Sequence, residues 1–316
     1  STSSRGLGDV YKRQGTNFAS LDNKSGGTVT IKDSKKLEAG SLRNDGNLIL
    51  EANATFEGTG NTFNNAGTTT VAEGGSIIDV GAINNLAGGT LTFAGDATVN
   101  ADSDNVGDEI VTNAGTFIVN DTSGSTVAVD GDAFTNSGTG TIAVNGTATL
   151  NGITILTNTS NSATAINIAT GATLSATTLN SSEGTITVAG TLDAATTITG
   201  GTLNVLTNGD VGAVQVTGGT LDVDSGAVGA VQVTSNGILD VDGGTVASLD
   251  LDAGPTHSIS GTALVTGITT IDGATLTQTG EGSKLGTDGT TASTVTVGAG
   301  GVYQADGGIA GNVINT

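Results

Sequence analysis

Carboxylates are the commonest ionisable groups in this chain, and their basic counterparts are scarce. Of 316 residues, 30 are Asp or Glu, 9 are Lys or Arg, one is His and none is Cys. Two acidic clusters have a spacing that could engage a cation. Asp222 and Asp224 alternate with Leu221 and Val223, and Asp240 and Asp242 repeat that arrangement further on. On stacked strands these like charges would lie roughly 5 Å apart, a strained arrangement unless water or a cation intervenes. Calcium, which takes about six to eight oxygen ligands, suits such a ladder. The second cluster is Asp102, Asp104, Asp108 and Glu109. It opens like a calcium-binding loop, but Val106 and Asn113 stand where an oxygen donor and a closing Glu are needed. A solvated acidic face needs fewer assumptions. Calcium is the one candidate cofactor.

Other chemistry finds little to build on. The single histidine, His257, follows the single proline in Gly254-Pro255-Thr256-His257. A catalytic base needs a nucleophile and an orienting group, and no Gly-x-Ser-x-Gly elbow is present. His257 therefore reads as part of a surface turn, and the chain as a non-enzyme. Polysaccharide hydrolases and lyases pair carboxylates in a groove, commonly with cations and sugar-stacking aromatics. Here no Lys or Arg occurs between Arg43 and Lys284, and the two tyrosines, Tyr11 and Tyr303, are near the ends. A net charge of −21 excludes nucleic acid as a partner and disfavours an anionic membrane.

These side chains must be positioned by a repeated element. A Gly, usually followed by Thr, precedes an apolar–polar–apolar triplet, as in Gly27-Thr-Val-Thr-Ile31, Gly67-Thr-Thr-Thr-Val71, Gly115-Thr-Phe-Ile-Val119, Gly201-Thr-Leu-Asn-Val205 and Gly219-Thr-Leu-Asp-Val223. The phrase returns every 17–26 residues. Its period of two marks a strand with one buried face. The Gly supplies a positive φ or a tight approach at a corner. In Asn44-Asp45-Gly46, Asn65-Ala66-Gly67 and Asn113-Ala114-Gly115, Asn reads as a corner residue that tolerates the left-handed region and bonds its own turn. The core should be narrow and aliphatic, because Trp, Met and Cys are absent and aromatics make up 3%. The expected fold is all-β: a single-stranded parallel β-helix, or β-solenoid, of two or three short strands per coil.

The phrase Asn-x-Gly-Thr-Φ-x-Val, with a second beat such as Gly74-Gly75-Ser76-Ile77-Ile78, resembles the passenger regions of bacterial autotransporters and filamentous-haemagglutinin-like adhesins. The resemblance runs from about Ser25 to Val302. It implies a right-handed coil and a secreted or cell-surface rod that displays loops to a host-cell, matrix or neighbouring-cell ligand. It also implies a membrane β-barrel elsewhere in the full-length protein. Two further readings are a polysaccharide-acting β-helix enzyme and a calcium-binding surface-layer or matrix component. Open coil ends predict end-to-end self-association.

Residues 1–14 stand apart. Asp9-Val10-Tyr11-Lys12-Arg13-Gln14 resembles a translated transposon adapter used in sequencing libraries, so the expected native segment is 15–316, an internal piece of a longer protein.

Overall fold

The computed structural model describes residues 18–58, 60–100, 110–121, 126–286 and 293–316, and every regular element among them is a β-strand. The adapter-like residues 1–14 and the acidic cluster Asp102, Asp104, Asp108 and Glu109 lie outside the described residues. The strands pair in parallel as a β-solenoid of about 13 turns. The chain divides into two compact units: the first runs to Ala165 and includes Gly171–Ala176, and the second comprises Ile166–Thr170 and Thr177–Thr316.

In the first unit, the Gly-Thr phrase builds one sheet. Its strands Thr28–Ile31, Asn47–Leu50, Thr68–Val71, Thr90–Ala94, Thr116–Asp121 and Thr141–Gly146 stack in chain order. A second sheet takes two short strands from a turn, such as Lys36–Glu38 with Leu42–Asn44, then Thr55–Glu57 with Thr62–Asn65. Each turn is thus three strands. Further along, the two short strands run together into Thr126–Gly138 and Thr149–Ser160, whose register shifts between Ala128 and Gly131. These strands are longer than the four or five residues the phrase suggests, because the corner between them is itself extended.

Unequal turn lengths leave the pairing intact. Thr68 faces Thr90, and Thr90 faces Thr116, although the second pair is further apart in sequence. The difference in length falls between strands, as between Ala97–Asn100 and Ile110–Asn113. Inward positions therefore form columns: Leu50, Val71, Phe93 and Val119 on one line, Leu48, Thr69, Leu91 and Phe117 on the next. A buried Leu or Phe stabilises each turn by about 2–3 kcal/mol relative to exposure.

The aliphatic expectation needs correction here. Phe56, Phe63, Phe93, Phe117 and Phe134 are all fully buried in the first unit. The rings of Phe93 and Phe117 lie 5.1 Å apart, and those of Phe117 and Phe134 5.2 Å apart at an interplanar angle of 82°. Few aromatics suffice because the core is a narrow channel, in which Phe93 meets Phe117 from turn to turn and Phe117 meets Phe134 across the core.

In the second unit the phrase strands are Ile166–Ile168, Thr185–Val188, Thr202–Val205, Thr220–Val223, Ile238–Val241, Thr256–Ile259, Thr275–Thr279 and Val302–Asp306. Their inward columns are aliphatic, as composition predicts: Ile186, Leu203, Leu221 and Leu239 beside Val188, Val205, Val223 and Val241. The facing sheet contributes strands such as Ala227–Val233, Thr245–Leu251 and Thr269–Ile271.

Glycine at the corners acts in two ways. A Cβ on Gly67 would overlap the carbonyl oxygen of Gly46 one turn before, so close approach requires glycine there. Gly219 has φ 73°, in the region that side chains avoid.

Candidate functional site

The phrase strands of the second unit position the predicted acidic ladder. Because Leu221 and Val223 point inward, Asp222 must point outward, and the same alternation turns Asp240 out. Asp222 and Asp240 are register partners, so their carboxylates stack on successive turns, as the sequence predicts. Asp224 and Asp242 follow at the strand ends and are exposed. Asp240 accepts a hydrogen bond from Ser258 Oγ and Asp242 one from Ser260 Oγ, both one turn further on. On the other side, Asn204 is the register partner of Asp222, and its buried Oδ1 has no hydrogen-bond partner.

Partial burial raises the Asp222 pKa, and the nearby carboxylates Asp224, Asp240 and Asp242 raise it further. A carboxyl whose folded pKa is raised contributes stability below its unfolded value, and that stability is lost as pH rises through the folded value. Asp222→Asn should therefore stabilise the protein at pH 7 by up to about 1 kcal/mol, since solvent screens a half-exposed group. Thermal melts of the two proteins should converge as pH falls into the ordinary carboxylate range. A variant no more stable than the parent at pH 7 would disprove the like-charge account.

The ladder is a line of pairs and does not form an enclosure. Among the described residues, no three His, Asp or Glu side chains gather closely enough to hold a metal ion. Asp222, Asp224, Asp240 and Asp242 share one outer face, and two of them already accept from serine hydroxyls. A second outward row on the facing sheet behaves alike. Gln215 Nε2 donates to Gln232 Oε1 at 3.2 Å, and Gln232 Nε2 donates to Asp250 and Asp252 at 3.3 and 3.2 Å. Burial, then Asp252, raises the pKa of Asp250.

Among the described residues the cations concentrate in the first turns of the first unit, where Lys32 and Lys36 reach a glutamate on the next turn and Arg43 pairs within its own. Lys32 Nζ meets Glu51 at 2.9 Å, Lys36 reaches both Glu38 and Glu57, and Arg43 pairs with Asp45 at 3.0 Å. These pairs are solvent-exposed, so water and salt screen them.

The most ordered polar array is one that the corner reading of asparagine misplaces. Asn23, Asn44, Asn65, Asn85, Asn113, Asn136 and Asn158 are buried in the first unit, and none has a positive φ. Asn23, Asn44, Asn65, Asn85 and Asn113 end their strands with the side chain inward, while Asn136 and Asn158 lie within the longer strands Thr126–Gly138 and Thr149–Ser160; from Asn44 onward each comes two residues after a buried apolar side chain. Nδ2 of each donates to Oδ1 of the next, at 2.7, 2.9, 2.8, 2.7, 2.8 and 2.9 Å. The second Nδ2 hydrogen reaches a backbone carbonyl, such as Thr90 for Asn65 and Thr116 for Asn85. Part of the corner reading survives, since Asn65 Nδ2 also lies 3.2 Å from the Gly67 carbonyl. The left-handed corners belong instead to Ser34, Asn53, Asp79, Asn208 and Ser235 among non-glycine residues. The legible signal was the constant offset of Asn before the strand in Asn44-x-Gly, Asn65-x-Gly and Asn113-x-Gly.

His257 also moves from its expected place. It is wholly buried, on strand Thr256–Ile259, with its ring in the core and not in a surface turn. The reason lies in the alternation: Thr256-His257-Ser258-Ile259 has the form of the strand phrase, with His in the first inward position. Tyr303, half-buried in strand Val302–Asp306, donates its hydroxyl to Gln278 Oε1.

The arrangement as a whole holds side chains in rows, turn upon turn, outward as inward. Compared with known proteins, the chain matches no family model, no curated protein and no solved structure.

Proposed function

We propose that this chain is an extracellular structural and adhesive repeat protein, a passenger-type scaffold that displays loops from a bacterial surface. One observation carries the reading: register is kept from turn to turn while the connecting segments vary in length, as between Thr68, Thr90 and Thr116. Such a scaffold can present different loops without altering its core. Its outward rows are hydroxyl, amide and carboxylate side chains such as Asn204, Asp222, Asp240 and Ser258, a polar face suited to contact with a wet surface. Secretion to the cell surface, delivery by a membrane β-barrel and end-to-end self-association belong to the same proposal.

Beads coated with the purified chain, offered to epithelial cells, immobilised matrix proteins and bacterial cells, test the reading. The expected result is saturable retention on at least one surface, competed by soluble protein. Retention no greater than that of beads coated with an unrelated acidic protein would overturn it. Reproducible polysaccharide turnover by the same preparation would put an enzyme in its place, and retention that appears only with added calcium would favour a calcium-dependent matrix role.

A further inference from the structure

One core position in the second unit breaks its column. Leu203, Leu221 and Leu239 occupy the first inward position on successive turns, and Leu276 occupies it on a later one, all buried. Between Leu239 and Leu276 the same position holds His257, the chain's only histidine, also fully buried. A leucine would fit the pattern of the column, so packing alone does not call for a titratable ring.

Both ring nitrogens are engaged. The Leu239 backbone N–H donates to Nδ1 at 3.3 Å, and Nε2 faces the Ala253 carbonyl at 3.4 Å. With Nδ1 accepting and Nε2–H donating, the ring is a neutral imidazole. A proton on Nδ1 would set donor against donor and place a charge among leucines. The segment that covers the ring is Asp252–Thr256. Its Gly254 has φ 123°, and a Cβ there would lie 3.1 Å from the ring's Cε1. Pro255, the next residue, has no N–H to tie it to a neighbouring turn.

The surroundings offer the imidazolium no counter-charge within the core. Strand Ile238–Val241 brings Asp240, with Asp242 just beyond it, both on the outer side and hydrogen-bonded to serines. Strand Thr275–Thr279 brings Leu276, Thr277 and Gln278. The covering segment begins at exposed Asp252. On the facing sheet Leu249, Leu251 and Ile271 are buried, while Asp250 and Asp272 are not.

We propose that His257 is an acid-sensitive latch, whose protonation releases the Asp252–Thr256 segment and opens that turn of the second unit. Burial holds the His257 pKa below its ordinary value, opposed by the Ala253 carbonyl. For a base with a lowered folded pKa, stability is intact above the unfolded value near 6.5 and falls as pH drops below it. A scaffold so built is rigid in neutral surroundings and loosens locally in acid.

Hydrogen exchange of the whole chain at pH 7.5 and pH 5.0, corrected for intrinsic rates, tests this. Amides of residues 238–262 should lose protection about tenfold or more at pH 5.0, while those around Asn65 and Asn85 do not. His257→Leu, which completes the leucine column, should abolish the loss, and so should His257→Gln, which keeps a neutral polar group. Protection that persists at pH 5.0 in the parent protein overturns the proposal without any variant. Equal loss in the parent and in either folded variant overturns it as well.

Discussion

Replacing Phe117 with alanine should destabilise the first unit by about 3–5 kcal/mol. The ring is the middle of three, with Phe93 on the preceding turn and Phe134 on the facing sheet. Its column neighbours Leu91 and Ile142 are held by backbone ladders on either side, so they cannot slide in to fill the space. The cavity therefore persists, and its cost adds to the lost transfer free energy. Phe117→Leu, which keeps most of the volume, should cost about 1.5 kcal/mol or less. Urea unfolding followed by far-ultraviolet circular dichroism checks both. The midpoint should fall steeply for the alanine variant with little change of slope. Equal midpoints for the two variants would mean that the site collapses, contrary to a core fixed by register.

Asn85→Leu should cost about 3 kcal/mol or more, although it puts an aliphatic side chain into an apolar core. In the parent, Asn65 Nδ2 donates to Asn85 Oδ1, and Asn85 Nδ2 donates to Asn113 Oδ1 and to the Thr116 carbonyl. Leucine removes an acceptor from Asn65 and a donor from Asn113 and Thr116 at once. Each buried group left unpaired costs about 1–3 kcal/mol, which exceeds the gain from burying a leucine in so small a space. The neighbouring Asn84 gives the contrast. It faces outward and donates to Asn64 Oδ1 at 3.0 Å while half-buried. Asn84→Leu should cost about 0.5–1 kcal/mol, because water can replace its partner. Thermal melts of the two variants decide the matter. If position 84 proves as sensitive as position 85, the amide column is not what distinguishes them.

The asparagine column also fixes register. Slipping a strand by one residue would turn its whole apolar set to solvent, and here it would also drive an amide out of a continuous hydrogen-bonded line. The first unit thus has a polar constraint on pairing that supplements its apolar one. In the second unit Val216, Val233 and Leu251 end the corresponding strands, and pairing there rests on aliphatic columns and glycine corners.

Much of this was legible residue by residue. The Gly-Thr phrase marked strands such as Thr28–Ile31 and Thr220–Val223, and its alternation sent Asp222 and Asp240 outward onto one line. His257 was misplaced because Gly254-Pro255 signals a turn more loudly than one polar residue signals a core. Yet its own tetrapeptide fits the phrase. The local chemistry of asparagine favours turns, whereas its partners here lie one turn away, some 20 residues along the chain. Local propensity carries no information about such partners.

The outward acidic ladder and the parallel repeat were therefore set by sequence alone, because period-two alternation and corner glycines act within a few residues. Tertiary structure decided what those side chains meet. Stacking gave Asp240 and Asp242 serine partners, joined the buried asparagines into one line, and drew His257 into a leucine column. All three depend on register between turns, which only the assembled coil defines.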